Sequence, residues 1–574
     1  MWRRTSFGVV MSLALVLAAC GNGTTSEAPD GSGGASAPAS EGLEMDPDQT
    51  LVLSSGATDP PTLDPNLAQD TSSVEVLSQV TRPLLWFTPE LELTTEGGLA
   101  EEYVISEDGQ TITFTLKDGL LYSNGDPIVA EDFVFSWKRT LDPRTAAPYS
   151  YVLADIVGAG DVLAMAGADP APSDAEIEEA LDAVGVSAPD DTTFVVELSR
   201  PAAYFLFVST IWVTAPVPQT WVEIGEDFTE AENYVSSGPF MLETWEHDQE
   251  ITLVPNPNWH GTAPLLETIR LTIGADPDGV YRQYLNGEVD VAAVPGANAE
   301  QVRNDEELNS QAIQGDVLCT YYLGFDQDPE DGDESPVQNK ALRHAISKAI
   351  DREGLIATVR QGIGKPADSF IPVGMPGHQD LGFGLPYDLD AAQADLETAL
   401  SELNLDSAAD INLTLGVNAD AGHEPIMEFI QANLEEDLGI NVTIEAQEWS
   451  VYLQSLAENP QDMYRLGWCA DYPHPNNWLF DVWSCETARG GYCNEAMDEI
   501  LAEAQITPEL EDQLPLYEEA QQMLVDDAPA VWVYWYGRFT LVKPYVKGLI
   551  PTAADSSLGA TFYDKIYIGP RDAS

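Results

Sequence analysis

The stretch Thr111-Ile112-Thr113-Phe114-Thr115-Leu116 alternates threonine with an apolar residue. Successive side chains of a strand point to opposite faces, so this pattern predicts a strand with one buried face. The same alternation is present in 251–254 and 269–273. Apolar residues at helical spacing form two further sets: Leu342, Ile346, Ala349 and Ile350; then Ile426, Phe429, Ile430 and Leu434, closed by Gly439. Because strands and helices interleave, we predict an α/β fold.

The composition predicts a folded protein of two or three structural domains. A chain of 574 residues exceeds what one hydrophobic core serves. Its 13 Trp, 21 Tyr and 17 Phe can fill large cores and still line a pocket. Acidic residues outnumber basic ones by 96 to 24. This charge repels phosphate backbones and keeps the surface soluble, so we expect no nucleic-acid partner.

The N-terminus has the features of an export signal. The basic pair Arg3-Arg4 precedes an apolar run that is too short to span a bilayer, and we predict a signal peptide over 1–19. The sequence Leu17-Ala18-Ala19-Cys20 is similar to a bacterial lipobox, which implies lipid on Cys20. We interpret 20–48 as the lipidated cysteine and a flexible tether. The expected location is extracytoplasmic, anchored to the outer face of the cell membrane, with either twin-arginine or general secretory export.

Four cysteines follow Cys20, and an even number in an exported chain predicts disulfides. They are Cys319, Cys469, Cys485 and Cys493, and the count alone leaves three pairings open. Their spacings match no zinc ribbon or finger, so we expect no metal and no cofactor.

We find no signature of catalysis. The sequence has no Gly-x-Ser-x-Gly, no His-Glu-x-x-His and no phosphate-binding glycine loop, and its six histidines are scattered. We therefore expect a protein that is not an enzyme. A secreted hydrolase is the alternative in that class, since paired carboxylates are abundant.

Four segments, in this order, resemble the peptide and nickel family of ABC-importer solute-binding proteins, and most closely its oligopeptide-binding lipoproteins. They are Tyr122–Pro127 continuing through Ala130–Arg139; Ser237–Phe240 with Thr244-Trp245 and Val254–Trp259; Leu285–Asp290; and Arg465–Tyr472 preceded by Gln447–Trp449. The resemblance implies a two-lobed periplasmic-binding-protein fold of type II, with an additional domain and a cleft that closes by a hinge.

The resemblance also implies domain bounds. Lobe I would comprise 49–91, 214–318 and 537–574; the extra domain II would be 92–213, and lobe III 319–536. The chain would cross between the lobes near 318 and 537, which places the hinge there.

The implied function is capture of short peptides between the lobes and delivery to the membrane permease subunits of an ABC transporter. A peptide importer needs a carboxylate for the ligand's ammonium, cations for its carboxylate and free backbone edges for its main chain. We expect the protein to act as a monomer. The alternative is the same fold binding another solute, such as a nickel chelate, haem, an opine or an oligosaccharide.

The resemblance assigns a role to individual residues of the site. Asp471 matches the aspartate that pairs with the ligand's ammonium, and Gly467 and Cys469 would offer backbone groups. Arg465, Arg360 and His423 match positions that bear cationic or hydrogen-bonding side chains for the carboxylate. The matched residues that would line the cleft are Trp468, Trp449, Tyr149, Tyr536 and Thr71.

Two positions depart from the family pattern. Leu456 stands where the oligopeptide binders carry an arginine for one peptide length, and Gly324 replaces an acidic cleft residue. Each change removes a charge-assisted contact of about 1.5–3 kcal/mol. We therefore hypothesise less demand for one fixed position of the C-terminal carboxylate. The resemblance further implies that Cys319 pairs with Cys469, which leaves Cys485 and Cys493 to close a small loop.

Overall fold

The computed structural model describes residues 42–571, except 169, 203, 329–334, 379–383 and 556. The strands of these residues are β1 Thr50–Gly56, β2 Trp86–Phe87, β3 Leu93–Thr94, β4 Ala100–Ile105, β5 Thr111–Leu116, β6 Val186–Asp190, β7 Thr193–Glu197, β8 Phe240–Glu246, β9 Glu250–Pro255, β10 Thr268–Ile273, β11 Val291–Ala293, β12 Ala312–Phe325, β13 Lys365–Pro366, β14 Asn412–Asn418, β15 Asn441–Gln447, β16 Met463–Cys469, β17 Ala530–Val542, β18 Val546–Lys547 and β19 Tyr567–Ile568.

Helices alternate with these strands along most of the chain. The α-helices are α1 Thr71–Val80, α2 Ala130–Leu141, α3 Ala159–Leu163, α4 Asp174–Asp182, α5 Phe205–Val208, α6 Gln219–Val222, α7 Pro277–Asn286, α8 Ala299–Asn304, α9 Glu306–Ser310, α10 Lys340–Ala349, α11 Arg352–Thr358, α12 Leu389–Leu403, α13 Glu424–Asn433, α14 Trp449–Glu458, α15 Asn476–Trp483, α16 Glu495–Ile506 and α17 Leu510–Asp527. The shorter 3-10 helices are Ser150–Leu153, Trp212–Thr214, Glu226–Thr229, Gly296–Asn298, Pro336–Gln338, Ala408–Asp410, Arg489–Gly491 and Ala560–Lys565.

Two four-stranded sheets lie in the first half of the chain. One has the order β4-β5-β7-β6, and the other has the order β1-β10-β9-β8 with β1 parallel to β10. The three strands predicted from alternation are present as β5, β9 and β10. In β5 every apolar residue is buried while the threonines are half-buried, because the apolar face packs on the core beneath it.

The largest sheet is built on two long antiparallel strands. Its order is β11-β17-β12-β16-β14-β15, with β13 also paired to β17. Strands β12 and β17 pair from Ala312↔Leu541 to Gly324↔Ala530, with a register shift between Asp316 and Thr320. One half of this ladder thus lies in the predicted lobe I and the other half in the predicted lobe III. The register shift is at the predicted crossing, and the hinge and the domain bounds stay predictions.

Both helices predicted in the second half of the chain are confirmed. Helix α10 begins after Asn339, whose side chain accepts from the N–H of Leu342, an ordinary N-cap. Helix α13 continues into a π-turn over Leu434–Leu438, which ends at Gly439 with a φ of 74°. That left-handed conformation favours glycine, because it costs other residues a steric clash.

The predicted anchor falls outside the described residues. Cys20, the signal peptide over 1–19 and the tether up to residue 41 are not described. Of the helices that the structure describes, none is both long and apolar enough to cross a membrane.

The structure contains both disulfides in the pairing that the resemblance implies. Cys319 and Cys469 stand opposite each other on β12 and β16, with Cα atoms 4.0 Å apart and a sequence separation of 150. Cys485 and Cys493 are separated by 8 residues and close a short loop.

We expect the two disulfides to differ in their contribution to stability. In the chain-entropy model, closing the longer loop contributes about 5 kcal/mol and closing the shorter one about 2.5 kcal/mol. The double variant C319S/C469S should therefore lower the thermal unfolding midpoint more than the matched double variant C485S/C493S. Calorimetric scans of both variants measure the difference, and a larger loss in C485S/C493S would contradict it.

Candidate functional site

One edge of β16 has free backbone groups. Strand β12 pairs with β16 along its whole length, whereas β14 pairs with it only at Met463 and Tyr464. The N–H of Ala470 donates to β12 at 2.9 Å, so the alternate residues Gly467 and Cys469 direct their backbone groups to the other edge. Within the described part of the chain, no strand covers that edge beyond Tyr464. An extended chain can therefore add to β16 there.

Asp471 follows this edge and is held by the start of α15. Asn477 Nδ2 donates to Asp471 Oδ2 at 2.9 Å, and the Asp471 N–H donates to Asn477 Oδ1 at 3.0 Å. The Tyr149 hydroxyl donates to Asp471 Oδ1 at 3.5 Å. No described Lys, Arg or His lies within 4.0 Å of the carboxylate, so it forms no ion pair, and the charge of Arg489 acts on it only from farther away. The site therefore suits a cationic group of a ligand.

A second carboxylate lies behind the first. Asn477 Nδ2 also donates to Asp481 Oδ2 at 3.1 Å, and the Tyr472 hydroxyl donates to the same oxygen at 2.7 Å. Asp481 is 4% exposed. Burial raises the pKa of both the Asp471 and Asp481 carboxyls to about 7, and their hydrogen bonds oppose the rise. A cation bound at Asp471 would favour the ionised form.

An aromatic wall adjoins the carboxylates. The Tyr149 and Trp468 rings are nearly parallel, with centres 6.5 Å apart. The ring centre of Trp212 is 5.1 Å from that of Tyr149, and the ring centre of Tyr151 is 5.5 Å from it. Residues from 92–213 and from 319–536 thus meet at Asp471.

Arg465 lies near the other end of the free strand edge. Its Cζ is 4.8 Å from the ring centre of Tyr321. Its Nη2 donates to the Tyr536 hydroxyl at 2.9 Å, and its Nη1 donates to Asn418 Oδ1 at 3.1 Å. Arg465 has no carboxylate partner within 4.0 Å among the described residues, and its buried Nε has no hydrogen-bond partner.

His423 and Arg360 share these surroundings with Arg465. The His423 ring is 5.5 Å from the Tyr321 ring, and Arg360 Cζ is 5.0 Å from the Tyr534 ring. Burial and the charges of Arg465 and Arg360 hold the pKa of the His423 imidazole well below its usual range. Arg465 and Arg360 thus carry the positive charge here, while His423 beside them is neutral and able to donate a hydrogen bond.

Two predicted residues take more peripheral places. Trp449 begins α14, with its ring 6.3 Å from that of Tyr452, whose hydroxyl donates to the Arg465 carbonyl at 2.7 Å. Thr71 is the exposed first residue of α1, and the described contacts do not join it to the other predicted residues.

Tyrosine side chains pack closely against two glycines of the site. A Cβ at Gly467 would lie 3.0 Å from the Tyr536 hydroxyl, and a Cβ at Gly324 would clash with the ring of Tyr464. Any side chain at position 324 would therefore displace Tyr464.

Sequence reasoning missed Asn477, Tyr151 and Arg489. Asn477 follows Asp471 by six residues at the start of α15, a position that no motif marks. Arg489 belongs to the loop between Cys485 and Cys493. The available signal in the sequence was that basic residues are rare in this chain, with 24 in all. Among the described residues, no group of three or more His, Cys, Asp or Glu side chains could hold a metal ion.

Comparisons with known proteins agree with this geometry. The model of the bacterial extracellular solute-binding proteins, family 5 (middle region), matches residues 94–490, which is more than half of the chain. The oligopeptide-binding protein OppA of Bacillus subtilis is 29% identical over 555 residues, covering 94% of this chain and 96% of the relative.

Solved structures show the same architecture. The substrate-binding domain of an oligopeptide ABC transporter from Bacillus anthracis has a TM-score of 0.81 and 26% identity, covering 92% of this chain and 100% of that one. Peptide-bound OppA of Listeria monocytogenes has a TM-score of 0.79 and 27% identity, covering 92% of this chain and 100% of that one. The predicted type II binding-protein fold is thereby confirmed, and these relatives are described as binding proteins.

The buried carboxylates should make stability depend on pH. Because the folded protein holds protons that the unfolded chain releases between about pH 4 and pH 7, the Asp481 contribution falls as the pH rises through this window. D481N should therefore gain stability relative to the wild type from pH 5 to pH 7, by up to about 1.4 kcal/mol per pH unit.

Urea unfolding of the ligand-free proteins at several pH values measures this gain. The control is E397Q, which neutralises an exposed carboxylate on α12 and should keep a constant offset from the wild type. A difference between D481N and the wild type that does not change with pH would contradict the expectation.

Proposed function

We propose that this chain, which belongs to the bacterial extracellular solute-binding proteins of family 5, captures short peptides in an interlobe cleft and delivers them to the permease of an ABC importer. The observation that carries the proposal is the unpaired Asp471 carboxylate beside the free edge of β16. A peptide presents both complementary features, an ammonium group and a backbone that hydrogen-bonds like a strand.

The two ends of the site suit the two ends of a peptide. In the proposed mode, the N-terminal ammonium pairs with Asp471 and the main chain extends along Gly467 and Cys469. The carboxylate then lies towards Arg465, with Arg360 and His423 behind it. Arginine binds carboxylates through paired hydrogen bonds, so this arrangement orients the ligand as well as holding it.

Ligand capture is coupled to closure in this proposal. Lobe I (49–91, 214–318 and 537–574) and lobe III (319–536) move about the crossings near 318 and 537, with domain II (92–213) beside lobe I. The long strands β12 and β17 pass through both crossings, and their register shift there supports a flexible joint. A bound peptide holds the lobes shut by contacting both sides.

The N-terminal sequence completes the proposal. Lipid on Cys20 anchors the protein to the outer face of the cell membrane, and the residues up to 48 act as a tether. The protein works as a monomer beside the permease, binds without a cofactor and does not cleave its ligand.

Loss of the Asp471 charge should abolish most of the affinity for peptides. A hydrogen bond to a charged group contributes about 1.5–3 kcal/mol, so D471N should bind trialanine about 10- to 100-fold more weakly than the wild type. Isothermal titration calorimetry measures the change. N-acetyl-trialanine should lose similar affinity for the wild type, because it lacks the ammonium group.

The matched control is D406N, which removes an exposed carboxylate from the same predicted lobe and should bind normally. Equal binding of trialanine by D471N and the wild type would contradict the assignment of the ammonium site.

Leu456 should make the wild type tolerant of peptide length. It lies one turn after Tyr452 on α14, half-buried against the core. We expect affinities for alanine peptides of two to five residues to differ by less than about tenfold, because one charge-assisted contact of 1.5–3 kcal/mol is missing. L456R should raise the affinity for one length selectively. The same peptides as C-terminal amides should show no gain, and an equal gain with the amides would refute the role of position 456.

A further inference from the structure

A further arginine, Arg489, lies against the aromatic wall, on the loop closed by the Cys485–Cys493 disulfide. The Cζ atom of Arg489 is 5.4 Å from the ring centre of Trp468, the residue that stacks on Tyr149. Burial raises the pKa of the Asp471 carboxyl, and the charge of Arg489 opposes that rise. Arg489 and Asp471 therefore act on each other electrostatically, and each contacts a ring of the Tyr149–Trp468 pair.

The loop holds Arg489 in a defined place. Ala488 before it and Gly490 and Gly491 after it all have a positive φ, of 42°, 58° and 72°. The Gly490 carbonyl accepts from the N–H of Gln327 at 2.9 Å, and any side chain at position 490 would clash with neighbouring backbone. The positive φ is strained for Ala488 but not for the two glycines, and a strained residue held in place by its surroundings is typical of functional positions.

The charge of Arg489 has no counter-charge in the described protein. No carboxylate oxygen of the described residues lies within 4.0 Å of its guanidinium, although the chain has 96 acidic residues. Its Nε atom is buried and has no hydrogen-bond partner. Burial disfavours this cation, and the neighbours that offset the cost are tyrosines, Tyr322 and Tyr464 first among them, rather than carboxylates.

Two buried arginines with a structural role have guanidinium groups that donate to several backbone carbonyls, unlike Arg489. The Arg343 guanidinium donates to four backbone carbonyls, those of Val337, Gln338, Asp527 and Ala528. Arg352 likewise donates to several backbone carbonyls, the nearest that of Trp532 at 2.6 Å. Arg489 lacks such a set among the described residues, and in this it resembles Arg465 at the other end of the site.

We propose that Arg489 binds a carboxylate close to the ligand's ammonium, so that the site favours peptides with an acidic side chain at the N-terminal end. The inference rests on the proposed function and deepens it by naming a ligand class. Asp471 and Arg489 together then complement a carboxylate and an ammonium that lie near each other. A bidentate arginine–carboxylate contact supplies both affinity and orientation.

The test compares Glu-Ala-Ala with its neutral isostere Gln-Ala-Ala by isothermal titration calorimetry. We expect the wild type to bind Glu-Ala-Ala at least tenfold more tightly, and R489Q to lose this preference, so that its affinities for the two peptides agree within threefold. R489K, which keeps the charge without the paired donors, should keep part of the preference. Equal affinities of the wild type for the two peptides, or an undiminished preference in R489Q, would overturn the proposal.

The control for the change in net charge is R282Q, because the Arg282 side chain is 68% exposed on α7; it should keep the full preference. R489Q could be found not to fold, as judged by its unfolding midpoint. In that case the ratio of the affinities for Glu-Ala-Ala and Gln-Ala-Ala, measured in the wild type and in R489K, decides the question.

A dipeptide distinguishes the two carboxylates that Arg489 could bind, an acidic side chain of the ligand or its C-terminus. If Ala-Ala but not Ala-Ala-amide depends on Arg489, and Glu-Ala-Ala shows no advantage, the arginine serves the C-terminal carboxylate and the acidic-side-chain proposal is overturned. Binding of the tripeptides without preference would overturn this inference alone. Failure to bind any of these peptides would overturn the proposed function and this inference with it.

Discussion

The antiparallel pairing of β12 with β17 is the constraint on which the rest of the structure depends. These strands join the two halves of the largest sheet. The residues of β12, β16 and β17 are therefore held in fixed positions relative to both halves. The Cys319–Cys469 disulfide adds a covalent link between β12 and β16. Because β14 leaves β16 after Tyr464, the same framework that holds the strand also frees its edge.

Charge is distributed in the site against the trend of the whole chain. Acidic residues outnumber basic ones fourfold, yet Arg465 and Arg489 have no carboxylate partner within ion-pair distance in the described residues. Tyrosine and tryptophan rings surround them instead, and these rings stabilise a cation without neutralising it. Asp471 is the converse case, a carboxylate supported by an amide and a hydroxyl. The site therefore carries separated charges of both signs that a zwitterionic ligand can complement.

Local patterns predicted local structure well. Alternation over 111–116 and helical spacing over 342–350 report which face of an element is buried, and burial is decided mainly by the side chains themselves. Motif order likewise predicted the family, since Arg465–Tyr472 combines a strand, a cysteine and an aspartate. The sequence could not reveal Asn477 bridging two carboxylates, or Tyr464 excluding a side chain at position 324, because both contacts join residues from different elements.

The sequence alone determined the α/β class, the family and the identity of Asp471, Arg465 and the cysteines as candidates, because these depend on residue type and order along the chain. Only the tertiary structure decided which groups of the described residues lack a neighbouring strand or an ion-pair partner: the strand edge beyond Tyr464, the Asp471 carboxylate and the Arg489 guanidinium. Whether a charge is paired depends on all elements packed around it. That arrangement arises from long-range contacts, such as Tyr149 against Trp468, which no spacing in the sequence encodes.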